Sequence, residues 1–447
     1  MAQRVGAFDD TTTRGRSTIM KITPEARVYL FGIALCAALT ICAHSFSDTR
    51  GAYFMAALAF AGIVYLLAIR EFFATPAFPR RLVIIGLLLA VVWHLELLPA
   101  PPNDDIYRYV WDGRLQRLGY NPYIVIPSGP AASSLHTSET RKLNNPDLPS
   151  PYPAGAQLFF RSVTAIHESA FALKVALVLC DFAIALLLLD ILRLRRLGPH
   201  LILAYAWNPL LAIEVAANGH IDIVGTLFLM VSAVALARRW RAAAAVSLGL
   251  AVAVKFLPIV LVPLYWKRVR IRDAALAALV VGLLYLPFLN HGHIPAGSFG
   301  AYVQNWRFNG PIFAALTHVA PPKLLAGLAM LAGLATAAWL RKTAPEWSLG
   351  AFAWPMTATL LCAPAIFPWY LLWLLPFLTS SSTLLLVLWT VSITPTYVMW
   401  HLRAPGTPWG ALPGWTMLVE YGCLAIAAAL IRFYRAREPR PVSTLSD

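Results

Sequence analysis

The chain alternates long apolar runs with short polar segments, and the apolar runs have the length that crosses a lipid bilayer. A transmembrane helix needs about 20 mostly apolar residues. We predict spans at residues 27–46, 51–70, 82–99, 171–192, 200–217, 221–237, 273–290, 322–340, 346–363, 364–379, 382–400 and 411–431. The pattern therefore predicts an all-α polytopic membrane protein with about 12 transmembrane helices.

The composition excludes an ordinary soluble domain. Of the 447 residues, 59% are hydrophobic and 13% are charged, whereas soluble domains carry about 25% charged residues. A bilayer accepts this much apolar surface because lipid replaces water around the side chains. The five cysteines all lie in apolar runs without CxxC spacing, so the sequence indicates neither a disulfide framework nor a metal site.

The basic residues lie in short clusters between the apolar runs. The formal net charge is +15, but this distribution is typical of topology signals rather than of a nucleic-acid-binding domain. If all clusters are cytoplasmic, the chain has a cytoplasmic tail at 1–26, a single transmembrane domain at 27–434 and a second cytoplasmic tail at 435–447. The long polar loop at 100–170 then lies on the external face.

One apolar segment conflicts with simple alternation. Basic clusters flank both ends of residues 242–266, so a single crossing would put one cluster on the wrong side. We interpret the segment as a re-entrant pair of half-helices that turns near Lys255 and Pro258. One long kinked span is the alternative.

The loop at 100–170 begins PAPPNDDIYRYVWDGRLQRLGYNPYIVIP and carries most of the candidate chemistry. Residues 104–118 are predicted to form an amphipathic helix along the interface, with its apolar side chains towards lipid. Asp104 and Asp105 come directly after a span. Adjacent carboxylates repel each other, and one of them could act as a general base towards a hydroxyl group. The alternative is that an acidic residue simply caps the helix.

Polar side chains elsewhere suggest contacts to a phosphate or a sugar. Arg108, Arg114 and Arg117 recur along the same helix, and arginine binds either a phosphate group or anionic lipid. In the segment NGHID, Asn218, His220 and Asp222 lie where two spans meet, which favours a role towards substrate over a helix cap.

Single cations and aromatic residues give further candidates. Lys255 in KFLP is either a phosphate ligand or a snorkelling lysine, and Arg307 in WRFNG lies beside Trp306, which could stack on a sugar. Trp369, Tyr370 and Trp373 are predicted to belong to an interfacial aromatic belt. The sequence indicates no cofactor and no nucleotide-binding motif, and nothing in it requires a divalent metal.

These motifs together resemble a known superfamily. The segments DDIYRYVWDGR, GYNPY, YPAGAQLFF, NGHID, KFLP, WRFNG and FPWYLLWLLPF are similar to those of the GT-C membrane glycosyltransferases that use polyprenol-phosphate-mannose. That group includes glycosyltransferase family 87 and the actinobacterial α-1,6-mannopyranosyltransferases. The resemblance covers roughly residues 80–380. Two features depart from it: two extra spans precede the span that leads into the acidic loop, and Tyr152-Pro153-Ala154 replaces the usual Tyr-Pro-Pro.

The resemblance implies an inverting transfer from a lipid-phosphate sugar donor on the outer face of the membrane. Asp104 matches the first acidic residue of the family motif, and Asp105 its neighbour; either is the predicted base. We predict that Arg108, Lys255 and Arg307 bind the donor phosphate. The residues predicted to bind substrate are Tyr107, Trp111, Asp112, Arg114, Tyr152, Gln157, Asn218, His220, Asp222, Trp306 and Asn309.

The sequence therefore predicts a hexosyltransferase of the bacterial inner membrane, with a GT-C helical bundle and its active site on the periplasmic face. Its expected partners are a polyprenyl-phosphate sugar donor, a glycan or lipid acceptor, and membrane lipids, and no nucleic acid is expected to bind. The alternatives are a transporter or flippase of lipid-linked sugars, and an O-antigen ligase or polymerase. A transporter often shows inverted repeats, and no repeat is visible here.

Overall fold

The computed structural model describes residues 22–46, 50–289, 295, 297–343, 348–403, 408 and 410–437. Within these residues the secondary structure is helical, and extended backbone pairs only at an isolated parallel bridge between Phe308 and Ala365. The prediction of an all-α protein is confirmed. Of the two predicted tails, residues 1–21 and 438–447 lie outside the described part of the chain.

The amino-terminal half contains three long helices, a loop region with two shorter helices, and a second group of long helices. Its helices are α1 (Pro24–Ala43), α2 (Gly51–Ala74), α3 (Arg80–Leu97), α4 (Asp105–Arg117), α5 (Ala154–Ile166), α6 (Ala170–Leu194), α7 (Ile202–Ala206), α8 (Pro209–Ala212), α9 (Asp222–Ala237) and α10 (Arg241–Val254). A π-helical turn at Ile213–Asn218 joins α8 to the segment before α9.

The carboxy-terminal half mixes α-helices with 3₁₀ turns. Its α-helices are α11 (Ile271–Tyr285), α12 (Phe299–Asn305), α13 (Pro311–Leu316), α14 (Pro322–Thr343), α15 (Gly350–Leu361), α16 (Leu384–Ser392), α17 (Val398–His401) and α18 (Gly414–Arg437). The longer 3₁₀ segments are Leu257–Tyr265, Pro368–Trp373 and Thr394–Tyr397.

Seven helical segments among the described residues are long and apolar enough to cross a membrane, or eight if the bent pair Pro199–Ala206 and Pro209–Asn218 is one span. The seven are Pro24–Ala43, Gly51–Ala74, Ala170–Leu194, Ile271–Phe288, Pro322–Thr343, Ser381–His401 and Gly414–Tyr434. The chain is thus a multi-pass membrane protein, but the predicted number of about 12 helices is not confirmed.

Large apolar side chains lie exposed on the outer faces of these helices. Ile33 on α1 is 66% exposed, and Leu279 on α11 and Leu331 on α14 are each 58% exposed. Water would penalise such a surface, whereas lipid does not. The core lies on the opposite faces, where α9 packs against both α6 and α10 and α1 packs against α2.

The prediction of a transmembrane α-helix at residues 364–379 is wrong. The chain there forms 3₁₀ turns at Pro368–Trp373 and Leu375–Phe377. Proline lacks a backbone N–H and clashes with the preceding helical turn, so Pro364, Pro368 and Pro376 prevent a continuous helix. The side chains of this segment are mostly buried within the protein, where irregular backbone at membrane depth is tolerated.

The apolar segment between two basic clusters forms a hairpin. The 14 residues of α10 extend about 21 Å, less than the roughly 30 Å of a bilayer core. The chain turns at Lys255 and returns through Leu257–Tyr265. The end of the returning segment lies close to the start of α10. The Tyr265 hydroxyl is 2.7 Å from Ser232 Oγ, and Ser232 donates a hydrogen bond to the carbonyl of Ala244, near the start of α10. This geometry supports the re-entrant interpretation.

The helix predicted at 104–118 exists as α4, but its predicted lipid-facing orientation is wrong. Ile106, Tyr109, Val110 and Leu115 are each at most 1% exposed. Tyr109 stacks on Phe160 of α5, with ring centroids 4.5 Å apart. The apolar face of α4 is therefore covered by protein rather than by lipid.

Candidate active site

A cavity of about 500 Å³ opens where the loop after α3 meets the first residue of α9 and the end of α10. Its lining is polar on one side and aromatic on the other. The polar residues include Asn103, Asp104, Asp105, Arg108, Asn144, Asn145, Asp222 and Lys255, and the aromatic residues include Tyr109, Tyr152, Phe299, Tyr302, Trp306, Phe367, Trp369, Tyr370 and Trp400. The cavity thus joins segments that are far apart in the sequence.

The acidic pair lies at the start of α4. The Asp104 side chain opens into the cavity, and Asp105 is half-buried beside it. Asn144 donates its side-chain N–H groups towards both carboxylates. Burial in the cavity wall and the neighbouring Asp105 carboxylate together raise the pKa of Asp104 to about 6. A carboxylate with such a pKa can accept a proton near neutral pH.

Asp222 and Lys255 form an ion pair across the base of the cavity. Lys255 Nζ lies 2.8 and 2.9 Å from the two Asp222 oxygens. Trp373 Nε1 donates to Asp222 at 2.7 Å, and the Lys255 ammonium lies 4.1 Å from the centroid of the Tyr370 ring. Side chains 33 residues apart meet because α9 and α10 are antiparallel neighbours. Lys255 brings a cation to the cavity.

His220 lies behind the acidic pair. The π turn and Gly219, at φ +81°, bring the backbone N–H groups of Gly219 and His220 onto the Glu214 carbonyl, each at 3.0 Å. His220 Nε2 lies 3.1 Å from Glu214, and Nδ1 lies 3.8 Å from Asp105. The imidazole stacks on Trp369 with ring centroids 3.9 Å apart. Asn218 donates its side-chain N–H to Glu214 at 3.1 Å.

The aromatic wall contains residues that the sequence did not identify as a site. The Tyr302 and Tyr370 hydroxyls lie 2.6 Å apart. Trp369 stacks on Phe367 at 4.5 Å, and Trp306 and Tyr152 line the cavity as predicted for substrate-binding residues. The aromatic-belt prediction for Trp369, Tyr370 and Trp373 is wrong, because Trp369 and Tyr370 line the cavity and Trp373 is fully buried.

Arg108 lines the cavity but binds the protein backbone. Its guanidinium donates to the carbonyls of Leu148, Asn144 and Asn145 at 3.1, 3.0 and 2.6 Å. The side chain is 2% exposed. Arg108 thereby fixes the loop that carries Asn144, which in turn contacts the acidic pair. The structure gives this residue a structural task beside the one predicted for it.

Several predicted substrate-binding residues are packed among α4, α5 and the loop segment that joins them. Asp112 is fully buried and accepts hydrogen bonds from Ser150 and from Gln157, the latter at 2.8 Å. Burial raises the pKa of Asp112 to about 6. Trp111 stacks on His136 with ring centroids 4.1 Å apart. These side chains hold the loop together and do not reach the described cavity lining.

The remaining predicted site residues are also engaged elsewhere. Arg114 pairs with Glu168 at 2.7 Å, and the Lys142 ammonium lies 5.5 Å from the Tyr107 ring centroid. Arg307 donates to the carbonyls of Val303, Gln304 and Trp306 at the end of α12. Asn309 donates to Glu420 at 2.7 Å. None of the four is among the cavity-lining residues that the structure describes.

In the part of the chain that the structure describes, no group of three or more His, Cys, Asp or Glu side chains is arranged to hold a metal ion. The acidic pair and Asp222 instead face a lysine, an asparagine and a histidine.

The chain is similar to known proteins both in sequence and in fold. The family model described as "Alpha-(1->6)-mannopyranosyltransferase, N-terminal domain" matches residues 33–269, more than half of the chain. No curated protein matches in sequence. Among solved structures, the chain is similar to ArnT from Cupriavidus metallidurans bound to undecaprenyl phosphate, with a TM-score of 0.46 and 16% identity over 80% of this chain and 73% of that one.

Proposed function

The chain belongs to the alpha-(1→6)-mannopyranosyltransferase family and is a membrane glycosyltransferase; from this premise we propose its donor, its base and its sidedness. It transfers a hexose, specifically mannose, from a polyprenyl-phosphate donor to a hydroxyl group of a glycan or lipid acceptor outside the cytoplasm. Family membership supports the GT-C type of helical bundle and the sugar.

The single observation that carries this proposal is the composition of the cavity. Asp104 opens into it from the start of α4, Lys255 reaches it from the end of α10, and aromatic rings form the facing wall. A base, a cation for a leaving phosphate and flat surfaces for a sugar are the groups that transfer from a lipid phosphate requires. The chain supplies all three at one place.

Asp104 is the proposed base. Its side chain is the more accessible of the pair and its pKa of about 6 suits proton acceptance at neutral pH. The acceptor oxygen forms a bond to the anomeric carbon of the donor while the bond from that carbon to the phosphate oxygen breaks. The hydroxyl proton passes to Asp104, and the electron pair leaves on the polyprenyl phosphate. The anomeric configuration inverts.

Lys255 is the proposed cation for the departing phosphate. Its ammonium group is held by Asp222 and lies over the Tyr370 ring, so its position is fixed before the donor binds. Arg307, predicted earlier for the same task, hydrogen-bonds its own helix end. Of the three basic residues that the sequence predicted to bind the donor phosphate, Arg108, Lys255 and Arg307, Lys255 is therefore the main proposed ligand.

The cavity is proposed to open on the external, periplasmic face of a bacterial inner membrane. The α6 helix begins beside the loop that forms the cavity and ends in the cluster Arg193, Arg195 and Arg196. Arg238, at the far end of α9 from Asp222, pairs with Asp190 near that cluster. Basic residues favour the cytoplasmic side, which supports an external position for the cavity.

The test is transfer by the purified full-length protein in lipid nanodiscs. Radiolabelled mannose is supplied either on polyprenyl phosphate or on a nucleotide, with a mannoside acceptor. We expect product only from the lipid donor, and a Lys255→Met variant with at least tenfold lower kcat. Transfer from the nucleotide donor would overturn the proposal. So would movement of intact donor across the bilayer without transfer, measured with the protein reconstituted in sealed vesicles.

A further inference from the structure

Glu214 is a buried carboxylate that the proposed chemistry does not use. It is 0% exposed, and it accepts hydrogen bonds from the Tyr397 hydroxyl and from Asn218 at 3.1 Å. A buried carboxylate is costly unless a cation and hydrogen-bond donors surround it. The basic side chain within reach is His220, whose Nε2 lies 3.1 Å away.

His220 faces carboxylates at both of its ring nitrogens. Glu214 lies at Nε2, and Asp105 lies 3.8 Å from Nδ1. The ring is fully buried and stacks on Trp369 at 3.9 Å, which fixes its plane. Both nitrogens of a protonated imidazole carry hydrogen. An imidazolium therefore suits a position between two carboxylates better than either neutral tautomer does.

The other charged groups nearby are already engaged. Lys255 pairs with Asp222, and Arg108 donates to three backbone carbonyls. Lys174 of α6 approaches Gly219 but donates its ammonium to the Ala100 carbonyl at 2.7 Å. Within the described residues, His220 is thus the basic group that contacts the acidic pair from behind.

The backbone is built to hold this arrangement. The π turn at Ile213–Asn218 adds a residue to the helical turn, and Gly219 then adopts φ +81°. Both the Gly219 and His220 N–H groups bond to the Glu214 carbonyl at 3.0 Å. Single π turns inside helices often occur at functional sites. Glu214 consequently orients His220 through its backbone as well as through its side chain.

We propose that Glu214 is a positioning residue that holds His220 as an imidazolium behind Asp104 and Asp105, so that the acidic pair stays ionised and ready to accept the acceptor proton. The inference rests on the proposed function, because it assigns the pair as the base. The positive charge of His220 lowers the pKa of Asp104 against the raising effects of burial and Asp105. Loss of that charge raises the pKa of Asp104 further.

The test compares kcat/KM against pH for wild type, Glu214→Gln, His220→Gln and the double variant, in nanodiscs with polyprenyl-phosphate-mannose. We expect the acidic limb of each variant to move about one unit to higher pH, with KM changed less than about twofold. The double variant should equal the single variants, since both remove the same charge. Glu420→Gln is the matched control, because Glu420 is equally buried and accepts from Trp389 and Asn309.

A second measurement does not depend on turnover. ¹⁵N-histidine solid-state NMR of the wild type at neutral pH should show an imidazolium signal that His220→Gln removes and Glu214→Gln converts to a neutral one. A profile of Glu214→Gln that coincides with wild type, or an equal shift in Glu420→Gln, overturns the inference. If the wild type transfers no sugar while the NMR result holds, the proposed function fails and the Glu214–His220 pairing stands.

Discussion

At the scale of single residues, Asp104 at the N-terminus of α4 and Asp112 within α4 differ in what surrounds them. Burial raises the pKa of both Asp104 and Asp112 to about 6. Asp112 is fully enclosed and accepts from Ser150 and Gln157, whereas Asp104 opens into the cavity. A base must reach its substrate as well as bind a proton. Access, rather than pKa, separates the proposed catalytic aspartate from the structural one.

Substitution of the acidic pair should therefore give two different results. Asp104→Asn removes the base, and we expect kcat to fall at least a hundredfold. A base works only when deprotonated, so wild-type activity should decline as pH falls through about 6. Asp105→Asn removes the neighbouring negative charge, lowers the pKa of Asp104 and moves this decline to lower pH.

Steady-state kinetics across pH measure both effects. Asp147→Asn is the control from the same loop, because Asp147 accepts a hydrogen bond from Ser128 at an exposed position. It should leave the profile unchanged. Wild-type activity in Asp104→Asn would reject this residue as the base.

At the scale of elements, the site depends on how short segments are joined. Gln157 of α5 donates to Asp112 of α4 and accepts from Gln116, which ties the two loop helices together. Arg108 then fixes residues 144–148 against α4. These hydrogen bonds between buried polar groups connect the loop segments that form one side of the cavity.

The Gly219 turn gives a test of this dependence. An alanine Cβ at residue 219 would lie 2.6 Å from Ile106 Cδ1, and its φ of +81° disfavours side chains by about 1 kcal/mol. We expect Gly219→Ala to lower kcat at least tenfold, because it displaces His220 and α4 together. Gly327→Ala is the control, since nothing lies within 4 Å of the added Cβ. Thermal unfolding in nanodiscs separates lost activity from lost fold.

At the scale of the whole molecule, the basic residue Arg341 and the cavity lie at opposite ends of the hairpin that α10 and Leu257–Tyr265 form. Arg341 at the end of α14 donates to the Trp266 carbonyl, where the hairpin of α10 and Leu257–Tyr265 ends. The turn of that hairpin lies at Lys255, in the cavity. The hairpin thus brings the Lys255 ammonium from the end that carries the basic residues to the cavity.

Thiol labelling of single-cysteine variants in sealed, oriented vesicles tests this arrangement. Ser133 in the long loop is exposed, as are Arg241 and Arg270 at the two ends of the hairpin. With the five native cysteines replaced, we expect an impermeant external reagent to label Ser133→Cys and to leave Arg241→Cys and Arg270→Cys unlabelled. Labelling of one hairpin end alone would show a complete crossing and reject the re-entrant interpretation.

The sequence by itself determined that lipid surrounds the helices and that an acidic pair directly follows one predicted span. Apolar runs of bilayer length are stable only where lipid surrounds them. The two adjacent carboxylates after a predicted span can be read directly from the sequence. It also indicated Asp222, His220 and Lys255, because charged groups in apolar runs are costly and need partners. The prolines at 364, 368 and 376 were equally visible, and they argue against the α-helix that hydrophobicity favoured.

Only the tertiary structure decided which of these residues meet. Arg114 and Asp112 belong to the same motif as Asp104, and Gln157 belongs to YPAGAQLFF, yet all three pack within the loop region. Tyr302 and Tyr370 lie 68 residues apart and share a hydrogen bond in the cavity wall. Long-range packing of α9, α10 and the 3₁₀ segments sets these distances, and no local pattern encodes it. A single sequence shows which groups are costly to bury, but the fold assigns each one its partner.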